Sequence, residues 1–429
     1  MTTDKIVSLL KKSAADMWTV SEKETEALEF YFIRHKLDQN RRRSVKHVTV
    51  TVFVVSEDKS TVGSASQEIY TTSTEDEAKK VIDSLLMRAK YAKNPYFTLQ
   101  PKTDVPVDTE PLEDIDPEKI AKDFIEALSD IDETKTEDIN SYEIFVEKNR
   151  RRFINSEGVD VFEEYPYSMA EVIINARDEK HEIELYRMYK GGLCDRKYLK
   201  EEIEKTLKTG RDRLVTKPLQ NLGSFDVVFS NENSKEIYSW YIARLSAAMK
   251  FHEYSDFETG KKICEDAAGD KVTIKALKKI ENSSENHLFD IDGSPTRDLV
   301  LMEENVPKSF YGNRQFAYYL GLKDSFLPKN FEATGGKTSL EELRSGDYLE
   351  IMELSDFQVH VMSGDIAGEI RLAYLHKDGE VIPVSGGSVS GNMNDVIKTI
   401  RFSKELKTYD CGRCPAVTRL YNVSITGAE

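Results

Sequence analysis

Residues 363–392, SGDIAGEIRLAYLHKDGEVIPVSGGSVSGN, carry the clearest structural signal of the chain. On either side of Asp378-Gly379, apolar residues recur with the alternation of a strand: Ile370, Leu372 and Tyr374 before the pair, and Val381, Ile382 and Val384 after it. This alternation across an Asp-Gly pair predicts a β-hairpin. The remaining glycines mark places where the backbone turns sharply or approaches another group closely. A rigid sheet with such loops suits a surface that grips a peptide or a partner.

The composition sets limits on the class of protein. A chain of 429 residues is long enough for more than one hydrophobic core. No apolar run approaches the roughly 18 residues that would span a bilayer, and the N-terminus lacks a signal-peptide pattern. Four cysteines are too few for a disulfide framework and fit a reducing compartment, so we expect a cytoplasmic protein without a membrane segment.

The net charge of −16 disfavours nucleic acid as a partner, because it repels polyphosphate. Two short basic clusters, Arg41–Arg43 and Arg150–Arg152, run against this balance. Both are flanked by strand-like sequence, so we predict that they lie at strand ends or edges rather than at a DNA-binding surface.

The pattern along the chain predicts an α+β fold with two domains. β-rich segments at 26–34 and 45–55 precede a helical pattern over 74–92, for which Thr74 and Glu77 form a predicted capping box. We assign residues 1–215 to an N-terminal mixed α/β domain, in which the acidic, proline-rich stretch 101–118 is an exposed connector. Residues 216–429 form a β-rich C-terminal domain with glycine-rich hairpins, including one predicted at Asp292-Gly293.

No catalytic constellation can be assembled from the residues alone. Cys411 and Cys414 have the spacing of a zinc-ligand pair, but the sequence contains no second pair. His252-Glu253 lacks a second histidine four or five residues further on, as a zinc-hydrolase helix requires. The glycine-rich run 386–391 does not form the Gly-x-Ser-x-Gly elbow of a serine hydrolase.

Four segments nevertheless resemble, in order and spacing, motifs of the TldD/PmbA family, whose members were once called modulators of DNA gyrase and are regarded as metalloprotease-related. They are FINSEGVDV at 153–161, FDVVFSNENSKEI at 225–237, FDIDGSPTRDLVLMEENV at 289–306, and the glycine-rich run at 363–392. The resemblance covers almost the whole chain. It implies the same order of an N-terminal domain and a β-rich C-terminal domain.

The family has a branch with an H-E-x-x-x-H zinc helix and a C-terminal cysteine ligand, and a branch without that helix. In this chain the corresponding segment is SWYIAR, so Ser239 and Arg244 stand where the two histidines would be. Cys411 lies near the position of the family cysteine. The chain therefore resembles the PmbA/TldE-like branch, which implies no catalytic residue and no metal on this chain, and zinc on a TldD-like partner.

The resemblance implies the non-catalytic subunit of a heterodimeric zinc metallopeptidase that acts on peptides or unfolded proteins. In that role the chain would hold extended peptides partly by main-chain pairing to sheet edges. Candidate contacts to substrate or partner are Arg244, Arg371, Ser388 and Asn392. For Arg244, an ordinary ion pair on the helix surface is an equally good interpretation.

Three alternatives remain open at this stage. The chain could be a stand-alone homodimeric protein that binds peptides without cleaving them. It could be an active metallopeptidase whose zinc site has moved to Cys411, Cys414 and a histidine. It could also regulate a DNA enzyme, which the acidic net charge makes the least attractive choice.

Overall fold

The computed structural model describes residues 1–103 and 115–428, and it confirms an α+β fold. Most of the predicted connector, residues 104–114, lies outside this description. The helices of the described residues are α1 Thr3–Leu10, α2 Glu75–Ala89, α3 Pro117–Ser129, α4 Arg196–Leu214, α5 Ser234–Arg244, α6 Ala247–Phe251, α7 Arg314–Tyr319, α8 Leu340–Leu343 and α9 Met393–Val396. None of them is long and apolar enough to cross a membrane.

The described residues before α4 form one antiparallel sheet of seven strands. The strands are β1 Met17–Ile33, β2 Lys36–Val55, β3 Thr61–Glu68, β4 Asn94–Pro95, β5 Glu137–Asn155, β6 Asp160–Arg177 and β7 Glu182–Gly191. Their order in the sheet is β4-β3-β2-β1-β5-β6-β7. The predicted strand segments 26–34 and 45–55 are thus parts of two much longer strands, which pair along nearly their whole length.

Four helices cover one face of this sheet. Trp18 and Val20 of β1 pack with α1 and α2, whereas Phe32 packs with α3 and α4. Even-numbered residues of a regular strand share one face, so both helix pairs lie on the same side. The side chain of Thr74 caps α2 and Glu77 completes the capping box, which confirms the predicted start of this helix.

The two basic clusters lie within β2 and β5, which flank the central strand β1. Arg41–Arg43 lie on an exposed sheet edge, because β3 pairs with β2 only from Thr49 onwards, which confirms the prediction for the first cluster. Arg150–Arg152 lie between β1 and β6, so for the second cluster the prediction of a strand end or edge is wrong. Acidic side chains of neighbouring strands neutralise them: Glu29 contacts Arg43 at 3.3 Å, and Arg150 contacts Glu164 at 2.6 Å. Opposite charges on adjacent strands stabilise the pairing between those strands.

The remaining strands form two further sheets. They are β8 Lys217–Pro218, β9 Gly223–Phe229, β10 Thr273–Leu277, β11 Leu299–Glu303, β12 Val306–Pro307, β13 Asn330–Thr334, β14 Tyr348–Val359, β15 Asp365–Lys377, β16 Glu380–Ser385, β17 Ser388–Asn392, β18 Arg401–Phe402, β19 Leu406–Tyr409, β20 Gly412–Pro415 and β21 Thr418–Thr426. One sheet has the order β12-β11-β10-β13-β20-β19. Sheet membership therefore changes between β7 and β8, while the domain boundary at 215/216 stays a prediction.

The other sheet closes into a small barrel. Its order is β14-β9-β21-β17-β15-β16-β8, and β14 also pairs with β15. Strands β14, β9, β21, β17 and β15 consequently form a ring in which the last strand pairs with the first. Ile366, Val389 and Ile425 belong to the large buried core of this half of the chain.

The hairpin predicted from the sequence is present as β15 and β16. Asp378 and Gly379 have φ angles of 52° and 79°, as a two-residue turn of the mirror-image type requires. A Cβ atom on Gly387 would lie 2.0 Å from the carbonyl oxygen of Thr426, so glycine is needed there for close backbone approach. The second predicted hairpin, at Asp292-Gly293, is only a tight turn with the single bridge Phe289–Pro295.

Candidate functional site

Helix α5 carries the two residues that the resemblance aligns with zinc-binding histidines. Ser239 is exposed, whereas Arg244 at the end of the helix is buried. Five residues of an α-helix correspond to a rotation of about 140° between side chains, in this chain as in the H-E-x-x-x-H helix. The difference from the zinc-binding branch is therefore one of side-chain chemistry, because neither a serine hydroxyl nor a guanidinium is a usual zinc ligand.

Arg244 is held by the chain's own main chain. Its Nη1 donates hydrogen bonds to the carbonyl oxygens of Val361 and Met362 at 3.1 and 3.2 Å, and its Nη2 pairs with Asp256. The side chain is only 7% exposed. Arg244 thus fixes the turn that leads into β15, and the interpretation as an ordinary surface ion pair does not describe it.

Aromatic rings complete this environment. The guanidinium carbon of Arg244 lies 5.0 Å from the ring centroids of both Trp240 and Phe257. Such contacts stabilise a cation that has been removed from water. The Nε of Arg244 is buried and has no hydrogen-bond partner among residues 1–103 and 115–428. The end of α5 is therefore a buried, positively charged position.

The Cys411–Cys414 loop offers no better place for a metal ion. The Sγ of Cys414 is buried, 3.7 Å from the Oγ of Ser234. Burial raises the pKa of both thiols, that of Cys414 to about 11. Within residues 1–103 and 115–428, no three His, Cys, Asp or Glu side chains are grouped as a metal site. Neither α5 nor this loop fits zinc.

The other three candidate contacts come together on the outside of the barrel. Asp365 pairs with Asn392 and Glu369 pairs with Ser388 across β15 and β17, and Arg371 follows two residues after Glu369. Directly opposite residues and alternate residues share a face, so all of these side chains point the same way. The opposite face carries buried residues of the barrel core. We call the exposed surface of β15, β17 and β21 the outer wall.

Asn392 organises one end of the outer wall. Its Nδ2 donates to the carbonyl oxygen of Ser363 and to Asp365, at 2.9 and 2.8 Å, and its Oδ1 accepts from the backbone of Asn394 at the start of α9. Hydrogen bonds from Ser363 and Asn392 lower the pKa of Asp365. Ser363 also contacts His360 at 2.8 Å, but it stands between the imidazole and the carboxylate. This order does not form a catalytic triad, in which the imidazole is in the middle.

Small polar side chains cover the rest of the outer wall. Ser388 shares a hydrogen bond of 2.6 Å with Thr426, and Ser390 and Ser424 are opposite one another on β17 and β21. Arg371 donates to Ser355 and contacts Glu369 at 2.8 Å. Both sides of β15 and β17 are paired to other strands, so a peptide cannot add here as a further strand. Contacts of Arg371, Ser388 or Asn392 with a substrate or partner stay a prediction, and they would run through side chains.

Comparison with known proteins identifies the second half of the chain. Residues 222–427 match the model of a family described as the PmbA/TldA metallopeptidase C-terminal domain. They form a TldD/PmbA-family domain. The family resemblance found in the sequence is thereby confirmed. An uncharacterised protein of Methanocaldococcus jannaschii is 24% identical over 298 residues, which are 66% of this chain and 69% of that protein.

Solved structures share the fold over almost the full length. TldE from Thermococcus kodakarensis superposes with a TM-score of 0.77 at 18% identity, covering 99% of both chains. A putative modulator of DNA gyrase from Bacteroides thetaiotaomicron gives 0.77 at 15% identity, covering 99% of this chain and 98% of the other. One from Thermotoga maritima gives 0.75 at 19% identity and covers 98% of each chain. At these identities the TldD/PmbA-type architecture is shared, and the fold alone is established.

Sequence reasoning selected Arg371 but missed two further arginines near it. Arg213 ends α4, Arg187 lies on β7, and the charges of Arg187 and Arg371 both act on Arg213. Three separate elements bring these cations together. No local pattern in the sequence could have indicated this, because 26 residues or more separate each from the next along the chain.

Proposed function

We propose that the chain is the non-catalytic subunit of a TldD/PmbA-type heterodimeric zinc metallopeptidase that acts on peptides or unfolded proteins. The observation that carries this proposal is Arg244, a buried cation at a position where the catalytic branch has a zinc ligand. A zinc site needs ligands that converge on one ion. Here a hydroxyl and a guanidinium take the places of the two imidazoles, and the guanidinium repels a divalent cation.

In the proposed complex, a TldD-like subunit supplies the zinc ion, its activated water and the general base. This chain supplies a preformed structure instead of reacting groups. Arg244 holds the turn before β15, and Asn392 holds the same turn from the other side. Arg244 and Asn392 therefore set the position of the outer wall through hydrogen bonds to the turn before β15.

The outer wall is the part of the chain that we assign to contact with the partner subunit or with substrate. Its serine and threonine side chains are short, so another backbone can approach closely and still find hydrogen-bond partners. Closed strand edges prevent uncontrolled strand addition. Specificity then depends on the few long side chains at its border, of which Arg371 is one.

Regulation of a DNA enzyme is less well supported. The names of two structural neighbours contain a putative role as modulators of DNA gyrase, which is a statement about those proteins. In this chain, the basic clusters of β2 and β5 are neutralised by acidic neighbours, and the net charge is −16. Neither feature favours an approach to DNA.

The proposal is tested by purifying the tagged chain from its source cell and identifying co-purifying proteins. We expect a subunit with the H-E-x-x-x-H motif, and hydrolysis of an unfolded protein such as casein only when both subunits are present. An Arg42→Gln variant, altered at a side chain that is 72% exposed and distant from the outer wall, serves as the control. Recovery of a homodimer without a partner would favour the stand-alone binding protein, and hydrolysis by this chain alone would contradict the proposal.

A further inference from the structure

Three arginines meet where α4 reaches the barrel. Arg187 comes from β7, Arg213 from the last turn of α4, and Arg371 from the outer wall. Helix α4 packs against β15 and β16, and its end is fixed on both sides of Arg213. Lys208 donates to the hydroxyl of Tyr374 at 2.8 Å, and Thr216 shares a hydrogen bond of 2.8 Å with Ser385. Arg213 is therefore held close to β15 and β16 by the fold, and its charge interacts with that of Arg371 on the outer wall.

The carboxylates of this region are already occupied by other cations. Arg187 pairs with Glu353, and Arg371 contacts Glu369 at 2.8 Å. Asp212, the neighbour of Arg213 in sequence, forms an ion pair with Lys208 at 2.5 Å. Across residues 1–103 and 115–428, no carboxylate lies within ion-pair distance of Arg213, and its guanidinium makes no hydrogen bond.

The surroundings make this unpaired cation costly. Arg213 is half-buried, and burial together with repulsion from Arg371 and Arg187 lowers its pKa, although Glu353 opposes the shift. The helix dipole favours a cation at the C-terminal end of α4. Arg211 in the same turn already places a cation there, and it also pairs with Glu137 at 3.0 Å. The dipole does not explain why Arg187 and Arg371 converge on the same place. In a chain with 76 acidic and 60 basic residues, an unpaired arginine beside two others indicates a site that awaits an anion.

We propose that Arg213, together with Arg371 and Arg187, binds the terminal carboxylate of a peptide lying on the outer wall. Guanidinium groups bind carboxylates through paired, charge-assisted hydrogen bonds. Arg371 lies in the middle of β15, two residues beyond Glu369, which pairs with Ser388. A peptide on the outer wall can therefore reach the arginines with its terminal carboxylate. The choice of a peptide carboxylate rests on the proposed function, whereas the anion site itself rests only on the arginines.

The first test uses an N-terminally labelled hexapeptide of Ala, Gly and Ser, with either a free C-terminal carboxylate or an amide. Binding to the full chain is measured by fluorescence anisotropy. We expect the acid to bind about tenfold more tightly than the amide, the effect of one charge-assisted interaction. Arg213→Gln removes this preference, and the control Arg42→Gln keeps it. Equal affinity for acid and amide, or an unchanged preference in Arg213→Gln, overturns the proposal.

The second test separates this site from the proposed function. N-acetylalanine and N-acetylalaninamide are titrated into the 15N-labelled chain, and the Nε–H resonance of Arg213 is followed by NMR. We expect the acid to shift this resonance at concentrations where the amide and chloride do not, even if the hexapeptides fail to bind because the peptide role is wrong. No shift with N-acetylalanine, or tighter binding of inorganic phosphate than of the carboxylate, overturns the assignment. If Arg213→Gln does not fold, Arg371→Gln replaces it in both tests.

Discussion

Two arginines of this chain occupy contrasting environments. Arg244 is 7% exposed and donates hydrogen bonds to Val361, Met362 and Asp256. Arg213 is half-buried and open to solvent, with no partner within the described residues. The first has the environment of a structural cation and the second that of a binding residue. The hydrogen-bond and ion-pair partners of each arginine distinguish these two roles. Its position in a sequence motif does not.

The largest effect is expected from Arg244→Met. The change removes the buried donor to the carbonyl oxygens of Val361 and Met362, and a cation that lies 5.0 Å from two aromatic rings. We expect the free energy of unfolding to fall by about 3–5 kcal/mol, as measured by urea denaturation. Arg42→Gln, at an exposed arginine, is the matched control. A loss below about 1 kcal/mol would mean that Arg244 is not structural and would break the comparison.

The next effect concerns the turn at Asp292, which joins the two halves of the chain. Burial and the charge of Asp290 raise the pKa of Asp292 to about 6. A carboxyl group whose pKa is raised by folding stabilises the fold below its unfolded pKa, and this contribution is lost as the pH rises through about 6. Relative to wild type, Asp292→Asn should therefore gain up to about 3 kcal/mol between pH 4 and pH 7.

Arg213 belongs to the first half of the chain and Arg371 to the second, so the site that they form depends on the junction at Asp292. Arg244 and its hydrogen-bond partners all belong to the second half. The pH dependence of Asp292 therefore sharpens the comparison between the two arginines. The measurement is urea denaturation of both proteins across that pH range. Asp365→Asn is the control, since Asp365 is an exposed carboxylate whose pKa is lowered. Parallel curves for Asp292→Asn and wild type would show that Asp292 does not titrate in this window.

A smaller effect is expected from Asn392→Ala. The amide caps α9 and holds Ser363 and Asp365. Loss of a helix cap costs about 0.5–2 kcal/mol, so we expect about 1 kcal/mol in thermal or urea unfolding. Asn394→Ala, at an exposed residue of the same helix, provides the comparison. If Asn392→Ala weakens peptide binding without any loss of stability, Asn392 belongs with Arg213 rather than with Arg244.

The smallest effect on stability is expected from Arg213→Gln and Arg371→Gln. Arg371 is 50% exposed, and the side chain of Arg213 has no partner to lose among the residues that the structure describes. We expect each to change the free energy of unfolding by no more than about 0.5 kcal/mol. Chemical denaturation at low and high salt is the measurement. A loss above about 2 kcal/mol for Arg213→Gln would place that residue among the structural arginines.

Local signals in the sequence predicted local structure well. The Asp378-Gly379 turn and the Thr74 capping box depend on neighbouring residues, and both are confirmed. The full lengths of β1 and β2 were not predicted, because their charged stretches do not alternate like a half-buried strand. Those stretches are stable as strands only when Arg and Glu side chains of neighbouring strands meet. The lengths of β1 and β2 therefore depend on contacts between strands, which neither sequence segment shows alone.

Only the part of the candidate site that comes from one sequence segment was predicted. Arg371, Ser388 and Asn392 belong to the glycine-rich run, and the fold places them on one surface. Arg213 and Arg187 belong to other elements, and only the packing of α4 against the barrel reveals them. Similarly, the aligned sequence marked Arg244 as unusual, but its bonds to main-chain carbonyls became visible only in the structure.

The zinc content of the purified chain, measured together with its peptidase activity, tests the central claim most directly. The account predicts that the chain alone holds no stoichiometric zinc and does not digest peptides, and that chelator-sensitive digestion begins when a TldD-like subunit is added. One tightly bound zinc ion per chain, or chelator-sensitive digestion by the chain alone, would contradict it.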